Sequence, residues 1–105
     1  MATYTLEQNG RTCRVTLQGD LIAAVLPDLQ AALKQQLAQG VDEVLFDLAA
    51  TVMLDSSGIG LLIATSNTMA RQQGRVRVIN ASADILQLLQ SMRLTSRLNA
   101  SGREA

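Results

Sequence analysis

The sequence predicts an α/β fold: a mixed β-sheet of four to five strands with about three helices packed against it, in the order β-β-α-β-α-β-α. Two observations support this prediction. Short apolar runs alternate with helix-period segments, which favours crossover connections. The 105 residues are 48% hydrophobic and 17% charged, enough for one domain with an apolar core. We expect a single domain over 1–105, ordered over about 3–98, with 99–105 as a frayed tail.

The first twenty residues predict a β-hairpin. Its second arm alternates in hydrophobicity at Cys13, Val15 and Leu17, so Cys13 is expected to be buried. Asn9-Gly10 lies between the arms and is a strong hairpin signal, because both residues of such a turn need positive φ. Gly19-Asp20 ends the second strand.

A helix and a strand are predicted next. Pro27 and Asp28 favour a helix start, because proline needs no N–H partner in the first turn and a carboxylate is favourable there. Leucines spaced by three or four residues mark one face of this helix, at Leu26, Leu29, Leu33 and Leu37. Gln39-Gly40 closes it. The apolar run Val44–Leu48 suits a strand that is covered on both faces.

Two more helices are predicted in the second half of the chain. One follows Asp55 and ends at Gly74, with its inner stripe at Ile59, Leu62, Ile63, Ser66 and Ala70. A short strand lies over Val76–Ile79. Ser82 caps the last helix, whose inner face comprises Ile85, Leu88, Leu89 and Met92. Leu94–Leu98 is expected to add an edge segment to the sheet.

Composition excludes several classes of function. The absence of histidine excludes His-based triads and His-ligated metals, and a single cysteine excludes a disulfide within the chain. Two aromatic residues are too few for binding of single-stranded nucleic acid by stacking. No secretory signal and no apolar run near about 18 residues are present. We expect a cytoplasmic protein that is not an enzyme, with no cofactor, no metal, no nucleic acid and no direct membrane contact.

The zero net charge is unevenly distributed. Residues 1–70 have three basic and seven acidic side chains, a net of −4, whereas residues 71–105 have six arginines and two acidic side chains, a net of +4. Either these are two sets of solvated surface charges, or they form a bipolar surface that orients a protein partner.

The segment Val52–Gly60 contains the most informative motif. One carboxylate and two hydroxyls, Asp55, Ser56 and Ser57, lie where a loop meets a helix N-terminus, whose first N–H groups lack partners. Gly58 and Gly60 keep the first turn free of Cβ atoms, so another protein can approach the backbone. A simple capping cluster is the alternative, although one cap needs only one side chain. No lysine follows Gly58 or Gly60, which leaves little support for nucleotide binding. A nucleophile elbow needs a glycine two residues before its serine, and Leu54 or Asp55 occupies that position.

The chain resembles the stand-alone STAS domain of the anti-sigma factor antagonist (anti-anti-sigma) family over about residues 3–98. The matching residues are Gly19-Asp20-Leu21, the strand Val44–Leu48 and above all Met53–Gly60, which contains the family's Asp-Ser-Ser-Gly-Leu/Ile-Gly motif. This resemblance implies the STAS-type mixed sheet and a role in partner switching.

In such systems the unphosphorylated antagonist binds a serine kinase of the histidine-kinase-like ATPase fold that is also the anti-sigma factor. The kinase modifies the serine that matches Ser56, and a PP2C-type phosphatase reverses this. The partner-binding residues implied by the resemblance are Asp20, Ile22, Asp55, Ser56, Ser57, Gly58 and Ile59. The family often has an acidic residue where Ile22 stands, so Ile22 either contacts a particular partner or packs into the core. A constitutive scaffold subunit of a transporter or signalling assembly is the alternative function.

Overall fold

The computed structural model describes residues 3–103 and confirms the predicted fold class: a mixed five-stranded sheet with three α-helices. Met1, Ala2, Glu104 and Ala105 lie outside this range. The elements in chain order are β1 (Tyr4–Asn9), β2 (Thr12–Leu17), α1 (Leu26–Leu37), β3 (Glu43–Asp47), α2 (Ser56–Arg71), β4 (Arg75–Ala81), α3 (Ala83–Ser91) and β5 (Ala100–Gly102).

The strands lie in the order β1-β2-β3-β4-β5, with β1 antiparallel to β2 and the other neighbours parallel. Because each parallel strand is next to its successor, right-handed crossovers put all three helices on one face of the sheet. The inward row Val15, Phe46 and Val78 is fully buried, whereas Leu45 and Arg77 on the opposite face are partly exposed. The prediction that β3 is covered on both faces is therefore wrong.

The predicted hairpin is present, but its turn differs from the expectation. Asn9 pairs with Thr12, so Gly10 and Arg11 form the turn. Of these two turn residues, only Gly10 has a positive φ, 64°. A glycine at the first central position is the pattern of a type II′ turn, which needs only one residue with positive φ.

Helices α1 and α3 follow the predicted pattern. Helix α1 has Pro27 in its first turn and buries the leucines at positions 26, 29 and 33. In α3, the Ser82 hydroxyl accepts a hydrogen bond from the Ile85 N–H at 3.2 Å, and Ile85 and Leu89 are buried. Met92 is 45% exposed, because it follows the last helical turn.

The inner stripe of α2 is rotated from the predicted one. Ala70 is exposed and Ser66 only partly buried, whereas the buried positions are Gly58, Ile59, Leu61, Leu62, Thr65 and Met69. Apolar residues occur almost all around this helix, so hydrophobic periodicity alone does not determine which side faces the core. The packing of α2 against β4 and α1 determines its orientation.

The C-terminal segment also departs from the expectation. No strand forms over residues 94–98: residues 95–99 form turns, and Leu94 and Leu98 are buried. The edge strand is instead β5, parallel to β4, so the expectation that the chain frays from Asn99 is wrong for residues 100–102. The reason is backbone pairing, because the outer edge of β4 needs hydrogen-bond partners. Over residues 3–103, no helix has the length and apolarity needed to cross a membrane.

Candidate functional site

The motif lies beyond the carboxyl ends of the parallel strands, on two loops that are joined by hydrogen bonds. One loop follows β2 and the other follows β3. The Leu21 N–H donates to the Met53 carbonyl at 3.2 Å, and the Asp55 N–H donates to the Leu21 carbonyl at 3.4 Å. The buried Thr51 hydroxyl donates to the Gly19 carbonyl at 2.8 Å. These bonds form a short parallel bridge that gives the second loop a defined shape.

Asp20 organises the second loop directly. One of its carboxylate oxygens, Oδ1, accepts hydrogen bonds from the N–H groups of Val52 and Met53, each at 3.0 Å. Asp20 is partly buried, so part of the residue remains accessible. The resemblance implied a contact with a partner at this position, and the structure adds a positioning role within the chain.

Asp55 caps helix α2 and also ties it to the first loop. Its Oδ1 accepts from the Gly58 N–H at 2.9 Å, and its Oδ2 accepts from the Ala23 N–H at 3.0 Å. The hydrogen bonds from Gly58 and then Ala23 lower the pKa of this carboxyl below its ordinary value. The capping interpretation of the motif thus applies to Asp55 alone, and the capping leaves both serines for another role.

The two serines differ in exposure. Ser56 is the first residue of α2 and is exposed, whereas Ser57 is partly buried. Gly58 is buried and Ile59 is only 7% exposed. Of the residues that the resemblance placed in the partner contact, Gly58 and Ile59 therefore support the loop from beneath and do not form its surface.

The two glycines of the motif have different roles. A Cβ atom at Gly58 would lie under 3.0 Å from the Leu21 carbonyl oxygen and 3.1 Å from the Leu21 Cγ. The close approach at Gly58 is thus made by the chain itself, and the expectation that this glycine admits another protein is wrong. At Gly60 a Cβ would meet nothing within 4 Å, so that position stays open to the surface.

Ile22 and two further apolar residues complete the surface of the site. Ile22 is partly buried just before a short 3₁₀ turn over Ala23–Val25, so part of this residue remains at the surface. Val52 is 76% exposed and Met53 is 55% exposed, in the loop that leads to Ser56. The sequence alone assigned no role to these two side chains. The presence of two large apolar residues in a loop was the signal that could have indicated an exposed apolar surface.

Comparison with solved structures supports the fold. The unphosphorylated form of the anti-sigma factor antagonist SpoIIAA superposes with a TM-score of 0.73 and 25% identity, covering 83% of this chain and 81% of that chain. The phosphorylated form of the Bacillus cell fate determinant SpoIIAA gives a TM-score of 0.76 at 22% identity, covering 93% of this chain and 90% of that one.

A domain with the same fold also occurs in a much larger protein. The murine anion transporter Slc26a9 gives a TM-score of 0.66 at 14% identity, covering 91% of this chain but only 17% of the transporter chain. Comparison with curated proteins found no relative that matches. The family model described as STAS domain matches residues 3–102. Because that match covers nearly the whole chain and the fold agrees with it, this chain belongs to the STAS domain family.

Proposed function

We propose that this chain is an anti-sigma factor antagonist that acts by partner switching. When unmodified, it binds a cytoplasmic serine kinase of the histidine-kinase-like ATPase fold that also serves as the anti-sigma factor. Phosphorylation of Ser56 releases it, and a PP2C-type phosphatase restores it. The chain acts as a binding module and not as an enzyme. The main supporting observation is the position of Ser56, exposed at a helix N-terminus on a loop held by Asp20 and Asp55.

The hydrogen bonds of the loop limit how a phosphoryl group can act. The N–H groups of Val52 and Met53 are already bonded to Asp20, and those of Gly58 and Ala23 are bonded to Asp55. These N–H groups are therefore not available to donate hydrogen bonds to a phosphoryl group on Ser56. The phosphoryl group would remain at the surface beside the ionised Asp55, adding about −1.5 to −2 charge at neutral pH.

The surrounding surface explains why that charge weakens binding. Val52 and Met53 present exposed apolar side chains in the loop that leads to Ser56, and Asp20 lies in the same pair of loops. A partner that covers this surface would have to desolvate the phosphate against apolar atoms and near carboxylates. Each loss of about 1.4 kcal/mol weakens the affinity tenfold. The switch is thus expected to act on the interface, with little rearrangement of the fold.

The alternative function is a constitutive scaffold subunit of a transporter or signalling assembly. The likeness to Slc26a9 favours it, because a domain of the same fold is part of that anion transporter. In this case the loop around Ser56 would be a docking surface whose affinity does not depend on phosphorylation.

Two adjacent serines provide a test with a matched control. Ser56→Ala should keep the fold and kinase binding but abolish phosphorylation, because it removes only an exposed hydroxyl. Ser57→Ala should leave phosphorylation largely intact. Ser56→Asp should weaken kinase binding, though less than phosphorylation does, since a carboxylate has a single charge. The measurements are incubation with the candidate kinase and ATP, location of the phosphate by mass spectrometry, and the Kd of each variant.

Two results would contradict this proposal in whole or in part. Phosphate found on Ser57 would show that Ser57, and not Ser56, is the acceptor. Tight partner binding that is unchanged in all three variants, with no phosphate on any residue, would favour the constitutive scaffold.

A further inference from the structure

The open face of the sheet has a cleft where β4 and β5 end. It has a volume of about 520 Å³ and lies between Arg77 and Ile79 on β4, Ser101 on β5, and Arg103 just beyond β5. Ala49, at the start of the loop that follows β3, also lines it, but Asp20, Asp55 and Ser56 do not. All three helices cover the other face of the sheet, so this cleft is uncovered in the monomer.

An irregularity in the pairing of β4 with β5 shapes the cleft. Val78 pairs with Ala100 and Ala81 pairs with Gly102, so two residues of β4 lie opposite Ser101 alone. One of the two, Asn80, has a left-handed backbone with φ of 58°. A bulge of this kind bends the strand and redirects its side chains, and bulges are frequent next to binding sites. The Asn80 amide donates to Asp47, which keeps this irregular segment attached to β3.

The cleft has an excess of positive charge. The guanidinium of Arg103 donates to the Ala49 carbonyl at 2.6 Å, a bond that orients the group without neutralising it. Among residues 3–103, neither Arg77 nor Arg103 forms a salt bridge. The nearby carboxylate of Asp47 is already paired with Arg14, at 2.5 Å. Two arginines are thus available to an anionic ligand, and arginine suits carboxylates because its fork binds both oxygens.

Two observations favour a peptide over a nucleotide or a nucleic acid. The cleft borders β5, which is the edge strand of the sheet, and an edge strand presents unpaired N–H and C=O groups to an extended segment. No aromatic side chain lines the cleft for base stacking: Phe46 is fully buried, and the Tyr4 hydroxyl donates to Asp28 at the opposite side of the sheet.

We propose that this cleft is a second docking site, which binds an extended acidic segment of a protein partner through Arg77 and Arg103. This proposal goes beyond the partner switch and does not rest on it, because no step involves Ser56 or a kinase. The unequal charge of the two halves of the chain then has a function: the arginine-rich half provides an anchor that contains neither Ser56 nor the carboxylates of Asp20 and Asp55.

The test is an amide chemical-shift titration of the full chain with a hexaglutamate peptide at low ionic strength. We expect shifts confined to Ala49 and to residues 77–81 and 100–103. Arg77→Gln and Arg103→Gln should each weaken binding by about three- to fivefold, as expected for a partly exposed ion pair. Arg71→Gln is the matched control, because Arg71 is exposed at the end of α2, far from the cleft, and should leave binding unchanged.

Three outcomes would overturn the proposal. The first is a set of amide chemical-shift changes at arginines throughout the chain, which would indicate nonspecific electrostatic attraction. The second is equal binding of a hexaglutamine peptide, which would exclude recognition of charge. The third is inorganic phosphate that binds the same amides more tightly than hexaglutamate, which would indicate a small-anion site. The dispersion of each variant's spectrum shows whether it is folded.

Discussion

Gly58 and Gly60 allow a direct test of the loop geometry, because they are two residues apart in one helix but differ in their surroundings. Gly60→Ala adds a methyl group in open space, so it should stabilise the fold by about 0.5–1 kcal/mol through helix propensity. Gly58→Ala should gain a similar propensity term, but its methyl group would meet the Leu21 carbonyl oxygen at under 3.0 Å.

The Leu21 backbone cannot move away from Gly58 at low cost. Its N–H is bonded to Met53 and its carbonyl to Asp55, so any shift disturbs the bridge between the two loops. Forced overpacking of this kind typically costs about 1–3 kcal/mol. Set against the propensity gain of about 0.5–1 kcal/mol, this cost leaves Gly58→Ala destabilised by a net of up to about 2.5 kcal/mol. We also expect it to weaken partner binding, because the Ser56 loop moves with it.

Urea unfolding of both variants measures this difference. The propensity gain is common to both variants, so with a slope of about 1 kcal/mol per M the midpoint of Gly58→Ala should lie at least about 1 M below that of Gly60→Ala. If both variants are stabilised equally, the close approach of Leu21 to Gly58 does not exist in solution, and the account of the loop is refuted.

Three further predictions concern the core and the sheet. Leu89→Ala should cost about 2–5 kcal/mol in urea unfolding, because Leu89 is fully buried on α3; a loss of a few tenths would mean that α3 is peripheral. Cys13 should react slowly with thiol reagents in the folded protein, because it is fully buried and burial raises the pKa of its thiol; rapid labelling would contradict this. Burial raises the pKa of Asp47, but hydrogen bonds from Asn80, the Ala49 N–H and Arg14 outweigh it, so the folded pKa is below the unfolded one. The stability that Asp47 contributes is therefore present above about pH 4 and is lost as the pH falls through the folded pKa. Asp47→Asn should remove this part of the acid dependence of the free energy of unfolding. An acid profile unchanged by the substitution would argue against these hydrogen bonds.

Several features of this protein were predictable because they depend on neighbours along the chain. Pro27 suits the first turn of α1 through its own fixed φ and missing N–H, and Ser82 and Asp55 cap α3 and α2 by accepting from N–H groups three residues ahead. The alternation in β2 and the leucine spacing in α1 likewise identified the buried face of each element. The Asp-Ser-Ser-Gly motif indicated the family for the same reason, since its residues are contiguous.

Other features were decided by the tertiary structure, because they join segments about thirty residues apart. Asp20 bonds to the loop at Val52 and Met53, and Gly58 faces the Leu21 carbonyl, contacts that no local pattern encodes. The strand β5 exists because the edge of β4 needs backbone partners, although its sequence is small and polar. The open face of the sheet follows from the order of the strands, since hydrophobicity alone did not show which face of β3 the helices cover. Sequence therefore determined the elements and the motif, whereas long-range backbone pairing determined which side chains of the motif reach the surface.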